Sequence, residues 1–164
     1  MATSISPGLG RALIGTALVA GTLDITTALS KYYLTTGRSP LNVLRYVASG
    51  VWGTQALTGG TGMALWGLLL HYSIAFLFTA FFFLWLYPRW RPSLHPVLVG
   101  VLYGTFVWLV MNLLVVPTSR VPAAPFRLEH AAVELLVIIV CIGLPIALGA
   151  NRFYRRQTST LQRH

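Results

Sequence analysis

The chain has 164 residues and a mean hydropathy of +0.70; 55% of the residues are hydrophobic and 9% are charged. Soluble domains carry about 25% charged residues, so this chain lacks the polar groups to coat a water-facing surface. Twelve Lys and Arg stand against three acids, Asp24, Glu129 and Glu134, but the cations sit in short connections between apolar runs. That distribution excludes nucleic acid, which needs basic residues gathered on one groove or helix face, and fits contact with membrane lipid.

A span needs about 20 apolar residues at 1.5 Å each. The first runs from about Leu9 to Leu29, broken by Arg11 and Asp24. Its apolar stretch exceeds the core of a signal peptide, so it reads as a retained helix. Residues 40–57 follow, introduced by Ser39-Pro40, a capping hydroxyl ahead of a proline at the first helical position. With Asn42, Arg45, Ser49 and Gln55 this stretch is too polar to face lipid. It predicts an interfacial or re-entrant helix; a fifth span is the alternative. Gly59-Gly60-Thr61-Gly62 precedes a membrane helix rather than following a strand, so it is no phosphate cradle.

The second span runs from about Met63 to Tyr87 and ends at Pro88; the third runs from about Val97 to Val116 and ends at Pro117. The fourth covers about Glu129 to Ala150, carries Pro145 as a kink, and leads into a basic tail. The expected fold is all-α: residues 1–164 form a single transmembrane domain, a four-helix bundle with an additional helix over 40–57. Both termini and the 88–96 connection then share one side with Arg11, Arg89, Arg91, Arg152, Arg155, Arg156 and Arg163. The other side holds Lys31, Arg38, Arg45, Arg120 and Arg127, so the excess of positive charge places both termini in the cytoplasm. Trp85, Tyr87 and Trp90 fit an aromatic belt at that face.

Helices in lipid associate through faces of small residues. Asp24 shares a face with Ala17, Ala20, Gly21, Thr27 and Ala28; His71 recurs with Gly67, Ala75 and Thr79; Asn112 follows Gly100, Gly104 and Trp108. His130 and Glu134 lie one turn apart, with Cys141 and Pro145 continuing that side. Counting turns places Asp24, His71, Asn112, His130 and Glu134 in the half of the membrane away from the termini, which predicts one polar cluster there. A charged group inside a bilayer costs roughly 2.5–3.5 kcal/mol on insertion scales, so each is a candidate functional residue, with interhelical hydrogen bonding as the structural alternative.

Asp24, His71, His130 and Glu134 are N and O ligands suited to zinc, or to iron held by two His and a carboxylate. No HxxxH or HExxH anchors such a site, and haem ligation by His71 and His130 would need their rings face to face. No cofactor is named by the sequence, and no G-x-S-x-G, P-loop or dinucleotide fingerprint is present. His95 and His164 are expected in solvent.

The segments AGTLDITTA (20–28), HYSIAF (71–76), GVLYGTFVWLVMNLLVVP (100–117) and GLPIAL (143–148) resemble a group of small uncharacterised bacterial inner-membrane proteins. The resemblance implies a four-helix protein of the bacterial inner membrane and implies no activity. The functional expectation is a non-enzymatic polytopic protein that binds a small ligand, lipid or ion, or joins further copies or a larger membrane complex. The alternative is a membrane-embedded enzyme, with or without a metal, using the Asp/His/Glu cluster.

Overall fold

The computed structural model describes residues 8–90, 94–122 and 128–161; Arg91, Arg127, Arg163 and His164 lie outside them. Among the described residues all the regular structure is helical and there is no strand. Four helices are long and apolar enough to cross a membrane: α1 (Leu9–Thr36), α3 (Thr61–Arg89), α4 (Pro96–Thr118) and α5 (Leu128–Gln157). A shorter helix, α2 (Leu41–Trp52), continues as a 3₁₀ turn over Gly53–Ala56. This is a multi-pass membrane protein. Only 28–33% of each span is buried inside the bundle, and the outward residues are large and apolar, among them Leu65, Leu77 and Leu113. Such a surface is stable against lipid and not against water.

Successive spans run antiparallel, so the start of α1, the end of α5 and the α3–α4 connection share one end of the bundle. We call this the terminal end. The opposite end carries α2. With 12 residues, α2 is about 18 Å long and cannot cross a hydrocarbon core of about 30 Å. Gly37, in the left-handed region at φ 64, stops α1 by returning its N–H to the Tyr33 carbonyl. The residue flanking the start of α2 is Pro40 rather than Ser39, and it makes no side-chain cap; the Ser39 carbonyl accepts from the Asn42 N–H instead. The α2 backbone lies directly on α3, since a side chain at Gly67 would strike the Leu44 carbonyl. Leu44 packs there with Ile25 of α1 and Ala64 of α3.

Three spans contain a π turn, over Phe81–Leu86, Met111–Val115 and Ile139–Gly143. Each ends two residues before a proline: Pro88, Pro117 and Pro145. A proline in a regular helix lacks the N–H owed to residue i−4 and its ring collides with that carbonyl. Widening the turn before it relieves the collision. The helices therefore continue past Pro88 and Pro117 instead of ending at them. Pro145 likewise sits within a continuous α5.

At the terminal end the four spans meet in one core built around Phe82, Phe83, Tyr103, Val107, Ile142 and Ile146. Close approach of α4 and α5 comes from glycine: a Cβ at Gly104 would lie 2.6 Å from Ile139 Cα, and one at Gly143 would strike the Gly100 carbonyl. The Gly100–Gly104 pair thus joins two helices of the same chain. Tyr87 is buried and stacks on Tyr154 at 4.7 Å instead of standing in an interfacial belt. Trp85 does stay exposed, with the Arg89 guanidinium over its ring. A carbonyl that the π turn of α3 and Pro88 disturb finds a tyrosine. In the π register Tyr87 N–H reaches the Phe82 carbonyl, and Pro88 has no N–H for Phe83. The Tyr154 hydroxyl donates to that Phe83 carbonyl at 2.6 Å, and the Tyr103 hydroxyl to the Phe78 carbonyl at 2.7 Å.

Candidate functional site

Away from the terminal end the bundle opens. α5 packs on α1 through its π turn and its second half, and little of its first half touches α1. Near where they part, Thr27 Oγ1 lies 3.6 Å from Cys141 Sγ. Above it lies a cleft of about 810 Å³ between α1, α4 and α5, with Val43 and Tyr46 of α2 on its wall. The rim is completed by Ser119, Val121 and Pro122, a segment tied to α2 where the Arg120 N–H donates to the Gly50 carbonyl at 3.0 Å.

Four residues singled out from the sequence stand on this wall: Asp24, Asn112, His130 and Glu134. The fifth, His71, does not. Its Nε2 donates to the Gly21 carbonyl at 2.9 Å across the α1–α3 seam, beside a Thr22–Tyr72 hydroxyl pair at 2.8 Å. His71 interacts electrostatically with Asp24, but from behind the wall. Glu129, the remaining acid, is exposed at the start of α5 and is not on the wall.

Asp24 is half-buried a little past the middle of α1, and its carboxylate has no hydrogen-bond or ion-pair partner among the described residues. Glu134 and Lys31 likewise have none. Asn112 turns its side-chain amide back to the Trp108 carbonyl at 3.0 Å, leaving its amide oxygen as an acceptor. Its main-chain carbonyl belongs to the same open set: Val116 N–H pairs with Met111 in the π register, and Pro117 has no N–H for Asn112.

Sequence reasoning missed Lys31, Tyr32 and Tyr46, all on the wall. Lys31 follows Asp24 by seven residues, two turns on the same helix face. It was placed in the connection because apolarity fades after Leu29, whereas α1 runs on to Thr36. Tyr32 enters a polar chain at the α1–α2 contact, accepting from Asn42 Nδ2 at 3.5 Å while Asn42 Oδ1 accepts from Arg45 at 3.0 Å. Burial raises the Tyr46 phenol above its usual range, and the nearby Glu134 charge adds to that. The periodicity of α2 alone does not say which neighbour its Tyr46 faces.

The metal hypothesis meets a geometric obstacle. Among the described residues no three His, Cys, Asp or Glu side chains gather closely enough to hold a metal ion. His71 is committed to the α1–α3 seam on the far side of Asp24, and His130 is exposed on the first turn of α5. Facing rings for bis-histidine haem are absent for the same reason. His95 is exposed, as expected, and also caps α4: its Nδ1 accepts from the Val97 N–H at 3.4 Å. No family model, curated protein or solved structure matches the chain.

Proposed function

We propose that the protein is a non-enzymatic, multi-pass component of the bacterial inner membrane whose cleft binds a small organic cation with an apolar portion. One observation carries this reading. A chain with twelve basic and three acidic residues puts two of its acids, Asp24 and Glu134, on the wall of one cleft. Lys31 is the only Lys or Arg among the described lining residues, so carboxyl groups outnumber Lys and Arg on this wall inside a strongly positive protein. A carboxylate within a span is costly, and a cationic guest on the cleft side of Asp24 offsets that cost. Met111, Val137 and Ile138 offer such a guest apolar contact, and about 810 Å³ lies within the roughly 300–1,000 Å³ of small-molecule sites. Tyr32 and Tyr46 add aromatic faces suited to an ammonium group.

The bacterial inner-membrane location rests on the resemblance of the four segments quoted above. The cytoplasmic position of both termini rests on the arginines gathered at the terminal end, Arg11, Arg89, Arg152, Arg155 and Arg156 among the described residues. Further copies of the chain or a larger membrane complex remain the proposed partners, since each span keeps most of its surface outward.

The test is titration of the protein in nanodiscs with tetraethylammonium and longer-chain alkyltrimethylammonium ions, read by intrinsic tryptophan fluorescence. Binding should weaken about tenfold, or about 1.4 kcal/mol, in Asp24→Asn and again in Glu134→Gln. Failure of these cations to bind, or binding indifferent to both substitutions, overturns the proposal.

A further inference from the structure

A second groove lies at the terminal end, on the opposite half of the α1–α5 pair from the cleft. It has a volume of about 360 Å³ and runs between Gly15, Thr16 and Val19 of α1 and Pro145 and Gly149 of α5. Gly149 lets the helices close at its base, because a Cβ there would lie 2.5 Å from Thr16 Oγ1. Gly15 has the opposite role: a Cβ there would meet nothing within 4 Å, so its lack of a side chain keeps the groove open. Arg152 and Arg156 stand at one end of this channel. They lie one helical turn apart, on one face.

We propose that this groove is a binding site for an anionic phospholipid, with its phosphate held by Arg152 and Arg156 and one acyl chain lying along Gly15, Val19 and Pro145. The charge pattern and the direction agree. Guanidinium groups are the strongest side-chain partners for phosphate oxygens, and here both sit at the end of a membrane span, at headgroup level. From there the groove leads back into the hydrocarbon zone. From Arg156 to Pro145 it runs for about 16 Å of helix axis, enough for much of one acyl chain. The apolar stretch would give a headgroup site what a bare basic surface lacks, a fixed place for the chain. The groove shares no lining residue with the cleft, so this site stands or falls independently of the proposed cation.

Native mass spectrometry of the full chain, released from micelles containing equal amounts of phosphatidylglycerol and phosphatidylcholine, tests the site. The protein should retain phosphatidylglycerol preferentially. The double variant Arg152→Gln/Arg156→Gln should lose about tenfold or more of that retention. Gly15→Leu should lose it too, with every arginine in place and an unchanged melting temperature, because the new side chain occupies only the groove. Arg155→Gln, which removes a charge at the same level without touching the groove, should retain the lipid as the original does. Equal loss in Arg155→Gln and in the double variant would reduce the effect to general surface charge and overturn the site. Retention that survives both the double variant and Gly15→Leu would overturn it as well.

Discussion

The terminal half of the bundle and the half beneath α2 are made from the same four spans, yet they solve opposite problems. In the terminal half, buried aromatic rings fill the space between helices, Gly100, Gly104 and Gly143 let backbones touch, and the hydroxyls of Tyr103 and Tyr154 bond to carbonyls of α3. In the other half α5 parts from α1, and the wall of the resulting cleft carries Asp24, Glu134 and Lys31, whose side chains have no hydrogen-bond partner among the described residues. Lipid offers no hydrophobic drive to push helices together, so the side of that half where α5 parts from α1 contributes little to stability. The difference teaches that stability and binding are segregated along the membrane normal. The packed end holds the fold and the open end is left free for a ligand.

Substitutions should break this comparison in a definite order. Phe82→Ala, in the centre of the packed half and 1% exposed, should cost the most, about 3–5 kcal/mol, read as loss of thermal stability in detergent. Gly143→Ala should follow at about 1–3 kcal/mol, because its methyl group has only the Gly100 and Gly104 backbone to displace. Tyr154→Phe removes the donor to the Phe83 carbonyl and should cost about 0.6 to 1.7 kcal/mol, the range for interhelical hydrogen bonds in membranes. In the open half, Asp24→Asn should leave the melting temperature unchanged or raise it, an effect within about 0.5 kcal/mol. If Asp24→Asn destabilised the protein as much as Phe82→Ala does, the segregation would be wrong.

The smallest effect is a titration. The Tyr46 phenol is raised above its usual value of about 10 by burial first and by the Glu134 charge second. In the folded state it therefore holds its proton at pH values where the unfolded chain releases it. The sign follows from linkage: this contribution is fully present below about pH 10 and is lost as pH rises through the higher folded value. Glu134→Gln removes the second cause and should bring the phenol part of the way back, measured as tyrosinate absorbance with Tyr46→Phe subtracted. No change would mean that α2 does not hold Tyr46 near α5.

Much of this was legible in the sequence because lipid leaves so few options. Runs of apolar residues fixed the four spans, and the polarity of 40–57 set it apart as the extra helix. Small-residue spacing found the glycines at the α4–α5 contact. The helix ends were misread at Pro88 and Pro117, since a π turn that absorbs a proline has no residue signature of its own. Tyr87 looked like an interfacial anchor, and only the stacking with Tyr154 reveals it as core. For the candidate site, depth counting put five residues at one level but could not tell the sides of α1 apart. Asp24 reaches the cleft while His71 meets α1 from α3, and that distinction depends on the rotation of whole helices. Lys31 was hidden because a lysine near the end of an apolar run looks like a loop residue.

Cysteine accessibility addresses the central claim most directly. In a Cys141→Ala background, Ala28→Cys, on the cleft wall with Asp24 intact, and His71→Cys would be treated in intact membranes with an impermeant methanethiosulfonate reagent, with and without tetraethylammonium. The account predicts that Ala28→Cys reacts from the side opposite the termini, that the cation slows its reaction, and that His71→Cys stays unreactive. Equal reactivity at both positions, or reaction at His71→Cys alone, would contradict it.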